Sequence, residues 1–272
     1  MPHALSSRLN AALATLDPLR VAGAVVFIAA WQLLTLLLPP IILPTPLGVV
    51  KRLVSDFWSA PSLSYYGVEE ANLYANLIYT AENVTIAVVI GSVIGVMAGL
   101  LSARFNLVRV VIDPIIMTAG TVPILIAAPF LLIWFGVGRA SAVCLVMFYV
   151  IVILYIFAQR AATNLDPVYE DSARTFGATP RRMVWDILVP ATVPEILGGL
   201  RIALAGAWGL EAIAELLGSQ SGIGKVLEVL AGATDPQGIM ATLLLLGLTA
   251  MIVDAGAAFA VAHTAKWSAP AR

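Results

Sequence analysis

The chain has 272 residues, 60% hydrophobic and 11% charged, with a mean hydropathy of +0.95. Water-soluble domains carry about 45–50% apolar and about 25% charged residues, so the composition excludes an ordinary soluble fold, and disorder with it, since disorder needs low hydrophobicity and high charge. The net charge of −1 offers no basic excess to nucleic-acid phosphates, the single cysteine (Cys144) allows neither an intrachain disulfide nor a cysteine-rich metal site, and His3 and His263, near opposite termini, supply no histidine cluster or triad.

A spanning helix needs about 20 mostly apolar residues, because lipid offers the backbone no hydrogen-bond partners. Stretches free of Asp, Glu, Lys and Arg place such helices at 21–50, with Pro39-Pro40 ending the helix near Leu38, and at 83–103, 114–138 and 140–159. A fifth span falls at about 196–217, with Arg201 near one end and Glu211 and Glu215 near the other. Its centre is apolar and its ends can reach an interface by snorkelling. The sixth begins at 236–253 and passes Asp254 to about residue 262. The first stretch is too long for the apolar core of a signal peptide and is read as a retained helix. The fold class expected is an all-α membrane protein of six transmembrane helices. A transmembrane domain at 21–265 lies between an N-terminal segment, 1–20, and a tail, 266–272.

Lys and Arg concentrate on the side of a membrane that faces the cytoplasm. With the N-terminus inside, only Lys51, Arg52, Arg139 and Lys225 of the 15 basic residues fall outside. Both termini are therefore expected in the cytoplasm, which agrees with an even number of spans placing them on the same side.

Two connections are long. In the outer one, 39–82, Thr45-Pro46 is followed by Leu47, Val50, Leu53, Val54 and Phe57. Threonine as N-cap, proline at N1 and apolar residues three or four apart predict an amphipathic helix along the outer bilayer surface; the alternative is a docking surface for an outside partner. The other, 160–195, is the most polar part of the chain. Asp166-Pro167 starts a short helix that Gly177 stops, and Thr179-Pro180 starts a second, which Pro190 and Pro194 interrupt before the fifth span. The result is a compact knob on the cytoplasmic side.

The knob reads Asp171-Ser172-Ala173, three residues, Gly177, nine residues, Ile187, one residue, Val189-Pro190. This resembles the EAA loop of permease subunits of ATP-binding-cassette importers: Glu-Ala-Ala, three residues, Gly, nine residues, Ile, one residue, Leu-Pro. The spacing agrees at every step from 171 to 190, with Asp for Glu, Ser for Ala and Val for Leu as departures. Leu43-Pro44-Thr45-Pro46, Gly199-Leu200-Arg201 and Gly222-Ile223-Gly224 are further similar to the nitrate/sulfonate/taurine group of these permeases, which extends the resemblance over most of 40–225.

The resemblance implies that the loop forms a coupling helix seated on a separate ATPase subunit. Gly177 tolerates positive φ at the helix end. Ala173 and Ala178 keep the backbone close to a docked partner, and Glu170, Asp171, Arg174, Arg181 and Arg182 offer it charge contacts. It also implies a second copy of the permease, an extracytoplasmic solute-binding protein, a bacterial inner-membrane location, and a small anionic solute such as a sulfonate, nitrate or aromatic acid. No nucleic acid is an expected partner. The chain itself is expected to bind no cofactor and to be no enzyme. Around Gly224-Lys225 a phosphate loop would need Gly at 219 and Ser or Thr at 226, where the chain has Ser219 and Val226. ATP and magnesium are thus expected to be used by the partner ATPase.

Within the spans, Pro114, Pro123 and Pro129 with Gly120 and Thr121 break the third helix, and broken helices survive in lipid only where protein or water covers them. Thr118, Thr121 and Pro123 are therefore candidates for the translocation path, with a packing kink as the alternative. Tyr149 and Trp208 are candidate aromatic walls. Glu211 and Glu215, four apart on one face, fit a gate, a contact with an outside partner, or two carboxylates reaching outer water. Gly91, Gly95 and Gly99 predict a close helix contact, within the chain or across a dimer. Asp113 is expected to cap the helix begun by Pro114. Asp254 has no evident partner in the sequence.

Overall fold

The computed structural model describes residues 18–264. The expected tail, 266–272, and most of the expected N-terminal segment lie outside the described residues. Within them every regular element is helical: α1 (Pro18–Leu34), α2 (Pro46–Trp58), α3 (Pro61–Tyr65), α4 (Leu73–Arg104), α5 (Asn106–Thr121), α6 (Ala128–Phe135), α7 (Arg139–Thr163), α8 (Pro167–Thr175), α9 (Pro180–Gly218), α10 (Ile223–Gly232) and α11 (Pro236–Thr264).

Four of these, α4, α7, α9 and α11, are long and apolar enough to cross a membrane. A fifth span is divided: α5 and the segment Ile124–Phe135 meet at a bend of 97°. Val122 and Pro123 form the corner, because proline at 123 donates no hydrogen bond to continue α5. α1 stands in the place of the first expected span. It is shorter, 17 residues, but turn hydrogen bonds such as Leu38 N–H to Leu34 O carry the apolar run to Pro39.

α4 and α7 form the centre. The buried face of α4 runs Leu73, Asn76, Thr80, Asn83, Val84, Ala87, Gly91, Gly95, Gly99 and Ser102, the three- and four-residue steps of one helix stripe. The glycine seam settles the expected close contact within the chain. A Cβ on Gly91, Gly95 or Gly99 would stand 2.9, 2.7 or 2.6 Å from the backbone oxygen of Met147, Ile151 or Tyr155 of α7. Only hydrogen fits there, and the two backbones close on each other as small residues allow in lipid. α9 packs on the other side, where Gly199 and Gly206 admit the rings of Phe157 and Tyr149.

Three expectations need correction. The fourth-to-fifth connection does not break before its span: α9 runs unbroken from Pro180 through Pro190 and Pro194 to Gly218. Its turns are widened at Met183–Leu188, with Val189 N–H donating to Val184 O five residues back. This underwound stretch precedes Pro190, and the helix continues past the missing donor. Asp113 is no cap, since it lies inside α5. Its carboxylate accepts from Tyr155 Oη, from Gln159 Nε2 at 2.6 Å and from Ser102 Oγ at 3.2 Å, which joins α5, α7 and α4. Asp254 has a partner: Arg201 of α9 grips it through two bonds, Nε–Oδ1 at 3.1 Å and Nη2–Oδ2 at 2.8 Å.

The amphipathic helix α2 forms as expected, with Thr45 Oγ1 accepting from Gly48 N–H at 3.1 Å. Its apolar stripe divides. Val49 is buried and Leu53 and Phe57 pack on the core, whereas Leu47, Val50 and Val54 face outward. Arg52 to Asp235 at 3.2 Å and Gln237 Nε2 to Gly48 O at 2.7 Å pin α2 to the start of α11.

Gly95→Leu is expected to abolish a cooperative thermal transition of the detergent-solubilised protein. Gly95→Ala is expected to cost about 1–3 kcal/mol through overpacking. Gly209→Ala, where a Cβ meets nothing within 4 Å, serves as the neutral control in the same melting measurement.

Candidate functional site

The knob is built by local rules. Asp166 Oδ1 accepts from Val168 N–H at 2.9 Å and caps α8, with Pro167 in the first turn. Glu170 and Arg174 pair at 3.3 Å one turn apart. The helix then ends in a Schellman motif: Ala178 N–H donates to Ala173 O at 2.9 Å and Gly177 N–H donates to Arg174 O at 2.9 Å. Gly177 takes φ +78°, the left-handed turn that closes the motif. The spacing from Ala173 to Gly177 and Ala178 is thus the spacing of a helix stop. Thr179 Oγ1 then accepts from Arg182 N–H at 3.4 Å and opens α9.

The knob therefore presents Asp171, Arg174, Arg181 and Arg182 beside large apolar side chains that sequence reasoning passed over. Phe176 is 90% exposed, and Val168, Tyr169 and Trp185 are also exposed. Aromatic residues inside the most polar segment of the chain were the available signal. A cleft of about 390 Å³ separates the knob from the α4–α5 corner, with Arg104 and Phe105 on one wall and Pro180 and Arg181 on the other.

At the bend of the divided span, Thr118, Thr121 and Pro123 are all exposed, with Thr121 Oγ1 donating to Thr118 O at 2.8 Å. Gly120, between Thr118 and Thr121, lies against Val152 of α7. Tyr149 is half-buried against Gly206, and Trp208 is buried in the core.

Glu211 and Glu215 are 0% exposed, so neither reaches outer water. The reason lies on α4 and in the loop after α9. Glu215 Oε2 accepts from Gly224 N–H at 2.9 Å and both its oxygens lie 2.9 Å from the Thr80 hydroxyl. The next two amides of the same turn are also taken: Ile223 N–H donates to Thr80 Oγ1 at 2.9 Å and Gly222 N–H to Asn76 Oδ1 at 2.8 Å. A carboxylate and two side-chain oxygens thus satisfy the otherwise unpaired donors at the start of α10, where negative charge is favoured. A Cβ on Gly222 would lie 2.3 Å from the Glu215 carboxyl carbon and one on Gly224 1.9 Å from Ala212 O. Gly222-Ile223-Gly224 is therefore a loop clamped onto a buried acid. Asn76, Thr80 and Asn83 were not singled out from the sequence, although their steps of four and three place them on one face of an apolar helix. The outward Glu82, paired with Arg139 at 2.8 Å, hid this turn from a search for charge-free stretches.

Residues 91–266 match the family of binding-protein-dependent transport system inner membrane components. The taurine transport system permease protein of Escherichia coli (strain K12) is 26% identical over 234 residues, covering 86% of this chain and 83% of that one. The putative aliphatic sulfonates transport permease protein of Bacillus subtilis (strain 168) is 24% identical over 244 residues, covering 89% and 84%. Among solved structures, the methionine ABC transporter MetNI in inward-facing conformations aligns with a TM-score of 0.63 at 18% identity, covering 74% of this chain and 97% of that one. A bacterial alginate ABC transporter, in complex with an alginate pentasaccharide-bound periplasmic protein, aligns at 0.55 and 18%, covering 86% and 93%. At these identities the structural likeness speaks for the fold.

Replacing Glu215 by Ala is expected to lower stability by about 1–3 kcal/mol, because it leaves the buried Gly224 amide without an acceptor. Thr80→Val should have an effect of similar size, and Glu82→Ala, at a solvent-facing ion pair, under about 1 kcal/mol. Thermal midpoints of the three purified variants test this ordering.

Proposed function

The chain belongs to the family of binding-protein-dependent transport system inner membrane components, and from that premise we propose that it is the permease subunit through which an ATP-binding-cassette importer passes a small anionic solute. Transport, rather than catalysis by this chain, is what membership in the family means. The solute class proposed is a sulfonate, nitrate or aromatic acid, a reading supported by the similarity to taurine and aliphatic sulfonate permeases. An extracytoplasmic binding protein delivers the solute, two permease copies enclose the path, and separate ATPase subunits use ATP and magnesium. Both termini lie in the cytoplasm, so the knob projects there.

The observation that carries this reading is the knob itself. A lever that transmits force must be short, stiff and sharply ended. α8 is capped at its start by Asp166, closed at its end by the Schellman motif at Gly177, and followed within a few residues by a helix that runs unbroken into a span. Phe176, Tyr169 and Trp185 supply apolar area for a partner's groove, and the flanking arginines supply charge contacts. Because α9 continues from Pro180 to Gly218, displacement of the knob moves the span as one body. Closure of the two ATPases brings two knobs together and turns the path from inward- to outward-facing, a rigid-body switch between two states. Glu170, Asp171, Ala173, Arg174, Gly177, Ala178, Arg181 and Arg182 form the coupling surface in this scheme.

Gly177→Asp tests it. A Cβ there meets nothing within 4 Å, so the local cost is the left-handed backbone alone, about 1–2 kcal/mol. The variant is expected to keep the thermal midpoint within a few degrees while uptake into proteoliposomes containing the ATPase and binding protein falls at least tenfold. Normal uptake in this variant would overturn the coupling role. Stimulation of ATPase activity across a panel of small anions reads the solute class in the same vesicles, and a response to neutral or cationic solutes alone would overturn that class.

A further inference from the structure

The cleft behind the knob is amphipathic, and its two walls are graded in the same direction. On the α4 wall Arg104 is the last residue of the helix, and Leu100 and Leu101 stand one turn back along the span. On the α9 wall Arg181 lies in the first turn, and Val184 and Leu188 follow it toward the span. Thr80 meets Glu215 at one end of these helices and Arg104 shares the cleft with Arg181 at the other, so α4 and α9 are antiparallel. Each wall therefore carries its charge at the knob end and its apolar side chains further along the span.

Depth and charge identify the occupant. The charge-free run of α4, residues 83–103, is about 30 Å long at 1.5 Å per residue, the thickness of a bilayer's hydrocarbon. Leu100 and Leu101 thus stand at one edge of the hydrocarbon and Arg104 at the level of the headgroups. Leu101 is exposed and Val184 half-buried, so the apolar walls are open. The volume of about 390 Å³ falls in the range of about 300–1,000 Å³ typical of small-molecule sites. The charge is also unmatched. Arg109, Arg174 and Arg201 each pair with a carboxylate. Among the described residues no carboxylate pairs with Arg104 or Arg181, and none lines the cleft. A free anion would leave the apolar walls bare, and a water-soluble partner would have to bring its surface to hydrocarbon depth. An anionic headgroup that carries an acyl chain matches both parts, and basic pockets between helices at a cytoplasmic surface suit such lipids.

We propose that the cleft holds one anionic phospholipid of the cytoplasmic leaflet, with its phosphate between the guanidinium groups of Arg104 and Arg181 and an acyl chain along Leu100, Leu101, Val184 and Leu188. Arginine suits this role because its planar fork meets phosphate oxygens through two parallel hydrogen bonds. The lipid ties the start of α9 to the α4–α5 corner, beside the underwound stretch Met183–Leu188. The inference rests on the proposed placement of the knob in the cytoplasm and not on its docking to an ATPase.

The test is native mass spectrometry of the purified full chain in detergent, titrated with phosphatidylglycerol or with phosphatidylcholine of the same acyl chains. A basic side chain at a membrane surface favours an anionic lipid about fivefold, so the first phosphatidylglycerol is expected to bind at least about tenfold more tightly than phosphatidylcholine. Arg104→Gln and Arg181→Gln should each reduce that preference about fivefold. Arg160→Gln, which removes an equal charge from the last turn of α7 outside the cleft, should retain it. Equal binding of the two lipids, or an unchanged preference in either cleft variant, would overturn the proposal. Inorganic phosphate in large excess is expected to leave the lipid bound, and complete displacement would overturn the lipid in favour of a free-anion site. The comparison of the two lipids on the unaltered protein decides the matter should a variant fail to fold. No ATPase is needed, so the outcome is separate from that of Gly177→Asp.

Discussion

Along Gly91, Gly95 and Gly99 the backbones of α4 and α7 approach until a single methyl group would strike a carbonyl oxygen. In lipid this is the form that cohesion takes, because apolar side chains gain little by leaving hydrocarbon for one another. The other helices are arranged on this pair. α9 lies against α7 through its own glycines, α5 is tied back by the Asp113 bonds to Ser102, Tyr155 and Gln159, and the α10 loop is clamped to the outer turn of α4.

The polar groups stand at the two ends of that seam and do different work. At one end Asn76, Thr80 and Glu215 consume the free amides of a helix start, which fastens the loop between α9 and α10 to a distant helix. At the other, Ser102, Tyr155, Gln159 and Asp113 hold the corner from which the divided span departs. Between Asn83 and Ser102 the buried stripe of α4 consists of Val84, Ala87, Gly91, Gly95 and Gly99. This leaves the bundle stiff along its centre while its surface, rich in exposed Leu, Ile, Val and Phe, is left to lipid and to other chains.

Stiffness matters for a subunit that has to transmit movement. In the knob, α8 is joined to α9 by the short turn 176–179, and α9 carries Glu211 and Glu215 near its far end. One helix thereby spans from the proposed coupling surface to the buried acid cluster. The underwound turn at Met183–Leu188 is the departure from regular winding along it, at the junction where the knob becomes the span.

Much of this was legible in the residue order, because it depends on local physics. Apolar run length determined where helices lie. Asp166-Pro167, Thr45-Pro46 and Gly177 determined where α8 and α2 begin and where α8 ends, since caps and left-handed turns are satisfied within a few residues. The divided third span followed from its prolines, and the knob's spacing pointed to the family. What only tertiary structure decided depends on distant partners. Asp254 found Arg201, Asp113 became a junction among three helices, and Pro190 and Pro194 were absorbed into a continuous helix. Glu211 and Glu215 turned inward because α4 presents Asn76, Thr80 and Asn83 on the facing stripe. Hydrogen bonds across 53 to 146 positions of chain leave no local pattern, so burial of those acids could be settled only once the helices had met.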